Sequence, residues 1–271
     1  MNLGALIGFV LGVALLFFAA FSSAASAGVG LGGLVDLVSF LIVVGGAMAA
    51  TMIAFPMKEF LGAMGGFTAP FKSQGFTMKD VVQDYVNLAE YARKGPQELA
   101  KALEEKPEHM PFRLSSIKRG IQLIVDGTSK DDIREIMENN EQYRAIREVK
   151  NANAMAKIGE YAPSFGMIGT LFGLIFMLGG MAVPPLPGED PVAKLTSSMA
   201  VALVTTLYGA MFAFFIFMPF SDYMKYINEE KKVESAIHLK GILMLYDKIH
   251  PMLVRDKLNA FLASKDRLKD D

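Results

Sequence analysis

Four long apolar stretches alternate with strongly charged segments along this chain of 271 residues. Residues 3–22 contain no charged side chain, and further apolar stretches cover residues 34–55, 161–183 and 196–218. About 20 apolar residues in a helix are enough to cross the ~30 Å hydrocarbon core of a bilayer. The pattern therefore predicts an all-α integral membrane protein with four transmembrane helices.

The first apolar stretch also fits a secretory signal peptide, because residues 24–27 have the small side chains that are typical of a cleavage site. A signal peptide normally begins with a positively charged segment, whereas Met1-Asn2-Leu3 carries no basic side chain. We therefore interpret this stretch as a retained span.

The basic residues predict how the four spans are oriented. Of the 27 lysines and arginines, all except Lys194 lie in residues 57–157 and 222–271. Cytoplasmic loops of membrane proteins are enriched in these residues. We therefore expect residues 57–157 to form a large cytoplasmic loop and residues 222–271 a cytoplasmic tail, with both termini inside. Residues 1–56 would hold spans 1 and 2, and residues 158–221 spans 3 and 4.

The two charged segments carry helix signals of their own. Thr77 and Asp80 resemble a capping box at the start of an apolar stripe. Residues 130–157 have no glycine or proline and alternate in charge, which predicts one long helix that continues into the third span. Further helices are expected near residues 97–104 and 113–125, with a turn at Asp126-Gly127 and a break in the helical tail at His250-Pro251.

Composition excludes several functions. The chain has no cysteine, which rules out disulfides, thiol catalysis and cysteine metal sites. Its histidines (His109, His238 and His250) lack the spacing of metal ligands, and we expect each of them at the surface. The net charge of −1 gives no bias toward nucleic acid. No nucleophile with a base and no phosphate-binding loop occurs, so an enzyme is not expected.

The spans are poor in ionisable side chains and rich in small ones. Ionisable residues inside a membrane usually mark a route for ions, so their absence limits what this chain does alone. Asp36 and Glu160 lie at opposite membrane boundaries, where each is either a solvated interfacial carboxylate or a point of ion uptake or release. Gly166, Gly169 and Gly173 give the third span a face that suits close helix packing.

Hydroxyl groups are the polar groups that remain within spans 3 and 4. Thr170, Thr205 and Thr206 either bond to the carbonyl of the preceding turn, which composition alone favours, or line an ion route whose carboxylate comes from another chain. Adjacent helical residues point about 100° apart, so the sequence leaves open whether Thr205 or Thr206 faces that route. Pro163 and Pro219 are either helix boundaries or hinges.

These spans resemble those of one known family. Residues 162–174 (APSFGMIGTLFGL) and 199–210 (MAVALVTTLYGA) are similar to the third-span and fourth-span signatures of the flagellar motor stator A subunit, the MotA/PomA type. The resemblance covers nearly the whole chain. It extends to the family's second span at residues 35–36 and 41–46, and to its cytoplasmic loop at residues 92–95 and 120–127.

The resemblance implies a subunit of the bacterial inner membrane that assembles as a pentamer around a dimer of a B subunit, the MotB/PomB type. Each B chain would supply a membrane aspartate that binds the transported ion, sodium or a proton, and no other cofactor is implied. Passage of the ion would turn the A ring within the lipid. The hydroxyl of Thr170 slightly favours sodium.

The resemblance also implies charged contacts between the cytoplasmic loop and the rotor switch protein. The basic residues of the family's loop correspond to Arg93 and Lys94. The position that the family normally fills with an acidic residue is Lys101 here, so the acidic rotor contact is expected at Glu98 or Glu104.

Two other functions fit part of the sequence. An energiser subunit of the biopolymer-transport type is a member of the same superfamily, but it usually has three spans. The N-terminal hairpin and the long inner loop favour the motor. A membrane scaffold or receptor fits the topology, but it does not require Thr170 and the Thr205-Thr206 pair at matching depth.

Overall fold

The computed structural model describes residues 3–71, 76–104, 115–182 and 190–269, and the regular structure of these residues is helical. They form two compact units. The membrane unit consists of Met1–Ser73 and Glu148–Lys225, and the extramembrane unit of Gln74–Arg147 and Tyr226–Asp271.

The prediction of an all-α membrane protein with four spans is confirmed. Within the described part of the chain, four helical stretches are long and apolar enough to cross a bilayer. They lie within Gly4–Ala27, Leu31–Ala54, Lys130–Met181 and Leu195–Tyr246.

The α-helices of the described residues are numbered in chain order. They are α1 (Leu3–Ala27), α2 (Leu37–Phe40), α3 (Gly46–Ala54), α4 (Met57–Gly65), α5 (Met78–Lys94), α6 (Pro96–Glu104), α7 (Ser115–Val125), α8 (Lys130–Met181), α9 (Pro191–Met211), α10 (Met218–Tyr246) and α11 (Pro251–Asn259). Short 3-10 helices lie at Leu31–Leu34, Gly66–Phe71 and Ser264–Asp266, and π-helical turns at Leu41–Gly45 and Phe212–Phe217. The second span is therefore α2 and α3 joined by one π-helical turn, and the fourth is α9 joined to α10 by the other.

Helix α1 shows why the membrane is part of this fold. None of its most apolar window is buried within the chain, and Phe17 and Phe18 are 67% and 71% exposed. A helix that is apolar all round belongs in a protein core or in lipid. Phe9 stacks on Phe215 of the fourth span, but most large side chains of α1 are left uncovered by the described residues and are suited to acyl chains.

The third and fourth spans pack closely through the glycine face of α8. A Cβ added to Gly169 would lie 2.5 Å from Cγ2 of Thr205, and one added to Gly173 would lie 2.7 Å from Cβ of Ala202. Small residues let membrane helices approach each other closely. Such close packing stabilises the pair, since lipid provides no hydrophobic drive for helix association. The expectation of a glycine packing face is confirmed.

The prolines do not end their helices. Pro163 lies inside α8, which continues on both sides of it. Pro219 is the second residue of α10, directly after the π-helical turn Phe212–Phe217. The interpretation of these prolines as helix boundaries is therefore wrong, since the span helices continue into charged segments. Their role as hinges stays a prediction.

The helices expected in the charged segments are present. The capping box forms as expected: the Thr77 amide donates to the Asp80 carboxylate over 2.7 Å, and the Asp80 amide donates to the Thr77 hydroxyl over 3.3 Å. Helix α8 runs from Lys130 into the third span without a break. Residues 113–114, His109 and residues 183–189 are outside the described residues.

The core of the extramembrane unit joins helices α5, α6, α7, α10 and α11 and the first part of α8. Tyr85 and Leu88 of α5 are fully buried, as are Ile121 of α7 and Ile242 of α10. A Cβ added to Gly120 would lie 2.5 Å from Ile242, so α7 and α10 are in close contact. These contacts fix α5, the helix that ends at Lys94, against the rest of the unit.

His238 is buried in this core, which corrects the expectation that every histidine lies at the surface. The residue is 1% exposed, and its Nδ1 lies 2.8 Å from the hydroxyl of Tyr85. A Cβ added to Gly241 would lie 2.5 Å from the Tyr85 ring, so α10 approaches α5 closely at this point. His250 is exposed and caps α11, where its Nδ1 accepts from the Met252 amide.

Candidate functional site

Thr170 of the third span and Thr206 of the fourth form a hydrogen-bonded pair. Their hydroxyl oxygens lie 2.5 Å apart. Both are also near the carbonyl oxygen of Ala202, at 3.0 Å from Thr170 and 3.4 Å from Thr206. Thr206 is exposed in the single chain and Thr170 is partly buried. The pair thus presents oxygen atoms on an open face of the two spans.

Thr205 has a different environment from its neighbour. Its side chain is fully buried, its hydroxyl donates to the carbonyl of Ala202 over 2.8 Å, and its methyl group faces Gly169. Because adjacent helical residues point about 100° apart, Thr205 lies inside the contact with the third span and Thr206 lies at its exposed edge, where it meets Thr170. Thr205 serves the contact between the spans and Thr206 faces outward.

The threonines also make the backbone bonds that the simpler interpretation requires. Thr170 donates to the carbonyl of Gly166, one turn earlier, over 3.1 Å. A hydroxyl carries one donor and two acceptor lone pairs. The oxygens of Thr170 and Thr206 therefore keep acceptor capacity beyond these bonds. Their part in an ion route stays a prediction.

Asp36 caps the start of the second span. Its carboxylate accepts from the backbone amide of Ser39 over 2.6 Å and from the Ser39 hydroxyl over 2.5 Å. Tyr208 of the fourth span holds this capped end in place. Its hydroxyl donates to the carbonyl of Leu34 over 2.7 Å and accepts from the Asp36 amide over 3.3 Å. The carboxylate is partly buried rather than fully solvated.

Glu160 lies three residues before Pro163 on α8 and forms an ion pair with Lys157. Both side chains are substantially exposed, at 47% and 43%. The hydrogen bond and the charge of Glu160 raise the pKa of Lys157 above its ordinary value. The site is a solvated ion pair, and ion uptake or release there stays a prediction.

The charged residues expected to contact the rotor meet at the corner between α5 and α6. Arg93 and Lys94 are exposed in the last turn of α5, and Lys94 lies 5.6 Å from the centre of the Tyr91 ring. Gly95 turns the chain with φ of +127°, a conformation that glycine adopts readily. Glu98 follows in the first turn of α6.

Glu98 is held by a local ion pair. Lys101 donates to its carboxylate over 2.7 Å, and this hydrogen bond, the charge of Lys101 and the charge of Lys94 lower the pKa of Glu98. Glu104 is the last residue of α6, and its side chain lies outside the described residues. Of the two acidic candidates, the structure describes only the side chain of Glu98.

The sequence of this chain matches a family of known membrane proteins. The sequence model of the MotA/TolQ/ExbB proton channel family matches residues 88–236. The chain belongs to this family. Chemotaxis protein PomA of Vibrio alginolyticus is 31% identical over 98% of each chain. The uncharacterised protein YtxD of Bacillus subtilis (strain 168) is 34% identical over 88% of this chain and 80% of its own length.

Two solved structures have this fold. The structure of C. jejuni MotAB superposes with a TM-score of 0.84 at 24% identity, over the whole of both chains. The flagellar MotAB stator complex from Bacillus subtilis superposes with a TM-score of 0.78 at 26% identity, over 95% of this chain and 97% of that chain. The family is described as one of proton channels.

Tyr208 is a residue of this family member that the sequence reasoning missed. A tyrosine inside an apolar span usually needs a partner for its hydroxyl, and that signal was present in residues 199–210. The partner lies 174 positions away in the chain, so no local pattern identifies it. In the described residues no group of histidine and carboxylate side chains is arranged to hold a metal ion.

Proposed function

We propose that this chain is the A subunit of a flagellar motor stator, in which sodium or protons drive torque generation. The observation that carries this is the match to PomA, a chemotaxis protein, along 98% of both chains. The likeness to a flagellar MotAB stator complex at 26% identity supports the same function and a B-subunit partner. A pentamer of this chain would surround a dimer of that partner.

In this proposal the Thr170–Thr206 pair forms the A-subunit wall of the ion route. The two hydroxyls face outward from spans in which the described mid-membrane residues include no ionisable side chain. A partner helix with a carboxylate would supply the missing charge. A carboxylate in hydrocarbon needs hydrogen-bond partners. Two adjacent hydroxyls can donate hydrogen bonds to the carboxylate and offer their oxygens to a partly dehydrated cation. Thr205 does not line the route. It contributes indirectly, because it supports the contact between the two spans.

The proposed topology follows the distribution of basic residues. Residues 57–157 and 222–271 would lie in the cytoplasm with both termini, while residues 1–56 and 158–221 would lie in the inner membrane and contact lipid. In this orientation Asp36 lies toward the outside and Glu160 toward the cytoplasm. We assign to them ion uptake and release at opposite ends of the route.

The corner between α5 and α6 is the proposed contact with the rotor switch protein. Arg93 and Lys94 are exposed there and Glu98 lies in the adjacent turn, so the corner presents both signs of charge. Glu104, the last residue of α6, is the other acidic candidate for this contact. Pro163 and Pro219 would act as hinges, because a proline inside a helix removes one backbone hydrogen bond and weakens it locally.

A biopolymer-transport energiser is the second candidate, because the family description also covers TolQ and ExbB. Two relatives at 31% and 33% identity, PomA of Vibrio alginolyticus and motility protein A of Treponema phagedenis, are named for chemotaxis and motility, which favours the motor. The two functions differ in the partner. If this chain is a motor subunit, expressing it with a motor B subunit would restore swimming in a stator-deficient strain. If it is an energiser subunit, expressing it with an energiser partner would restore outer-membrane transport.

Ion flux tests whether this chain needs its partner. The purified chain in liposomes should carry no sodium or proton flux, and flux should appear when a B subunit of the MotB/PomB type is supplied. A fluorescent sodium or pH indicator inside the vesicles provides the measurement. Substantial flux from the chain alone would contradict the proposal.

A further inference from the structure

The extramembrane unit contains an open cavity of about 370 Å³. Helices α7, α8 and α10 form its walls, and Phe76 closes one side just before α5. Sites for small molecules usually have volumes of roughly 300–1,000 Å³. The cavity belongs to the extramembrane unit and the Thr170–Thr206 pair to the membrane unit, and the cavity lining does not include Arg93, Lys94 or Glu98.

His238 lines this cavity and has a ring nitrogen without a hydrogen-bond partner. Its Nδ1 lies 2.8 Å from the Tyr85 hydroxyl, whereas its buried Nε2 has no partner at hydrogen-bond distance. The nearest acidic oxygen, in Glu234, is 3.6 Å from Nε2. An unsatisfied buried polar group is unfavourable by about 1–3 kcal/mol. Such a group therefore requires an explanation.

We assign the ring proton of His238 to Nε2. Burial, together with the charges of Asp84 and Glu234, raises the pKa of Tyr85 well above its ordinary value, so the phenol keeps its proton. In this tautomer the O–H of Tyr85 donates to Nδ1 of His238, and the ring proton is on Nε2. A carboxylate 3.6 Å from Nε2 is consistent with an N–H there and not with a lone pair.

The basic side chains of the cavity differ in how far they are already engaged. Arg144 is held by Glu141 through two hydrogen bonds of 2.8 Å and 2.5 Å, and Ser235 also donates to Glu141 over 2.7 Å. That cluster is neutral as a whole. Arg119 lines the same cavity and, among the described residues, makes no hydrogen bond or ion pair. Lys231 adds a second cation on the opposite helix, α10.

We propose that this cavity binds a small phosphate-bearing anion, held by Arg119, Lys231 and the Nε2–H of His238. These donors belong to residues on two different helices, α7 and α10, that line one cavity. A phosphate group offers three oxygen acceptors at different angles, which suits donors from separate walls better than the planar pair of a carboxylate. An arginine fork binds phosphate through two parallel hydrogen bonds.

The other walls indicate that the ligand is a phosphate monoester with an organic part. Phe76 and Met137 provide apolar surface, which a bare inorganic ion would leave uncovered. Glu234 is an acceptor beside the cation sites and can receive a hydrogen bond from a ligand hydroxyl. A nucleoside monophosphate combines a phosphate, hydroxyl groups and a flat apolar ring. It therefore represents the ligand class.

A ligand in this cavity would stabilise the helix arrangement that presents the α5–α6 corner. It would join α7 to α10 directly, and through His238 it would reach Tyr85 on α5. A ligand that binds only the folded state stabilises it in proportion to the logarithm of its concentration. The concentration of this ligand would then set the rigidity of α5, the helix that ends in Arg93 and Lys94.

Thermal unfolding of the full-length chain in detergent tests the site, with AMP, inorganic phosphate and succinate as probes at constant ionic strength. AMP at millimolar concentration should raise the unfolding midpoint in a saturable way. Arg119→Gln should weaken the apparent affinity at least about tenfold, because it removes a charge-assisted pair of bonds. Lys118→Gln is the matched control, since Lys118 is the exposed neighbour of Arg119 and does not line the cavity.

The histidine provides a direct readout. The chain has only three histidines, so ¹⁵N-histidine labelling gives a simple spectrum, and His238→Asn assigns the Nε2–H signal by its loss. At an AMP concentration that half-saturates the wild type, AMP should shift that signal in the wild type and in Lys118→Gln, and much less in Arg119→Gln. Equal affinity for inorganic phosphate and AMP would identify free phosphate as the ligand of the same site. No saturable shift, an equal effect on Arg119→Gln and Lys118→Gln, or binding of succinate alone would overturn the proposal.

Discussion

Gly169 and Thr205 lie in direct contact at the centre of the third and fourth spans. A methyl group added to Gly169 would lie 2.5 Å from Cγ2 and 2.8 Å from the hydroxyl oxygen of Thr205. Thr205 therefore lies within the helix interface, and Thr206 lies on the open face beside Thr170. The proposed role of the threonine pair depends on that division.

Gly169→Ala tests the close contact itself. The added methyl group has no space, and overpacking of this kind is unfavourable by about 1–3 kcal/mol. The variant should unfold at a lower temperature in detergent, as measured by circular dichroism. Gly179→Ala in the same helix is the control, because a Cβ there would meet nothing within 4 Å. If both variants lost the same stability, the effect would not come from the contact with Thr205.

The hydroxyl pair can be tested with valine, which keeps the shape of threonine and removes its oxygen. Thr170→Val and Thr206→Val should both require more external ion for the same swimming speed, or stop the cells. Serine at either position should preserve most of the function, since it keeps the oxygen. Swimming speed measured against ion concentration, with the variant still bound to its B subunit, gives the result.

Thr205→Val is the matched control for this series. It removes a hydroxyl that donates to the carbonyl of Ala202 inside the helix interface, so it should affect assembly slightly and leave the ion requirement unchanged. An ion requirement that shifts for Thr205→Val and stays normal for Thr206→Val would reverse the assignment. Normal curves for all three valine variants would return the threonines to backbone bonding alone.

Charge reversal at Arg93 and Lys94 tests whether these residues serve torque generation or folding. Both side chains are exposed, and exposed substitutions away from special features usually change stability by no more than about 0.5 kcal/mol. The double variant should therefore reach the membrane at normal levels and impair swimming. Lys79→Glu, exposed at the other end of α5, should leave swimming unchanged. Disappearance of the double variant from the membrane would show a structural role instead.

The Glu141–Arg144 ion pair predicts a dependence of stability on pH. Burial alone would raise the pKa of Glu141, but hydrogen bonds from Arg144 and Ser235 and the charge of Arg144 lower it below the ordinary 4.5. A lowered pKa in the folded state means that the pair stabilises the protein fully above the ordinary pKa. That contribution is lost as the pH falls through the lower value of the folded state.

Glu141→Gln should therefore destabilise the extramembrane unit by about 1 kcal/mol at neutral pH, as expected for a partly exposed pair. The difference from the wild type should shrink as the pH falls well below 4.5. Thermal unfolding across this range provides the measurement. Glu138→Gln, which changes an exposed glutamate one turn away, should have no effect at any pH. A constant difference between Glu141→Gln and the wild type would show that ionisation of Glu141 is not the cause.

The sequence by itself determined the elements of this protein. Span number depends on apolar length, and the start of α5 depends on Thr77 and Asp80, which are three residues apart. The path of α8 into the third span depends on the absence of glycine from residues 130–157. Each of these is a local property, because a helix is built from bonds between residues four positions apart.

Only the tertiary structure decided which side chains meet. Asp36 and Tyr208 are 172 positions apart, and Tyr85 and His238 are 153 apart, so no local pattern joins them. Thr205 and Thr206 are adjacent and chemically identical, and they differ only because the glycine face of α8 receives one of them. Burial of a polar group depends on what packs against it from distant parts of the chain. The sequence determines each helix locally, and the packing of the helices decides which polar groups become structural and which stay open to ligands.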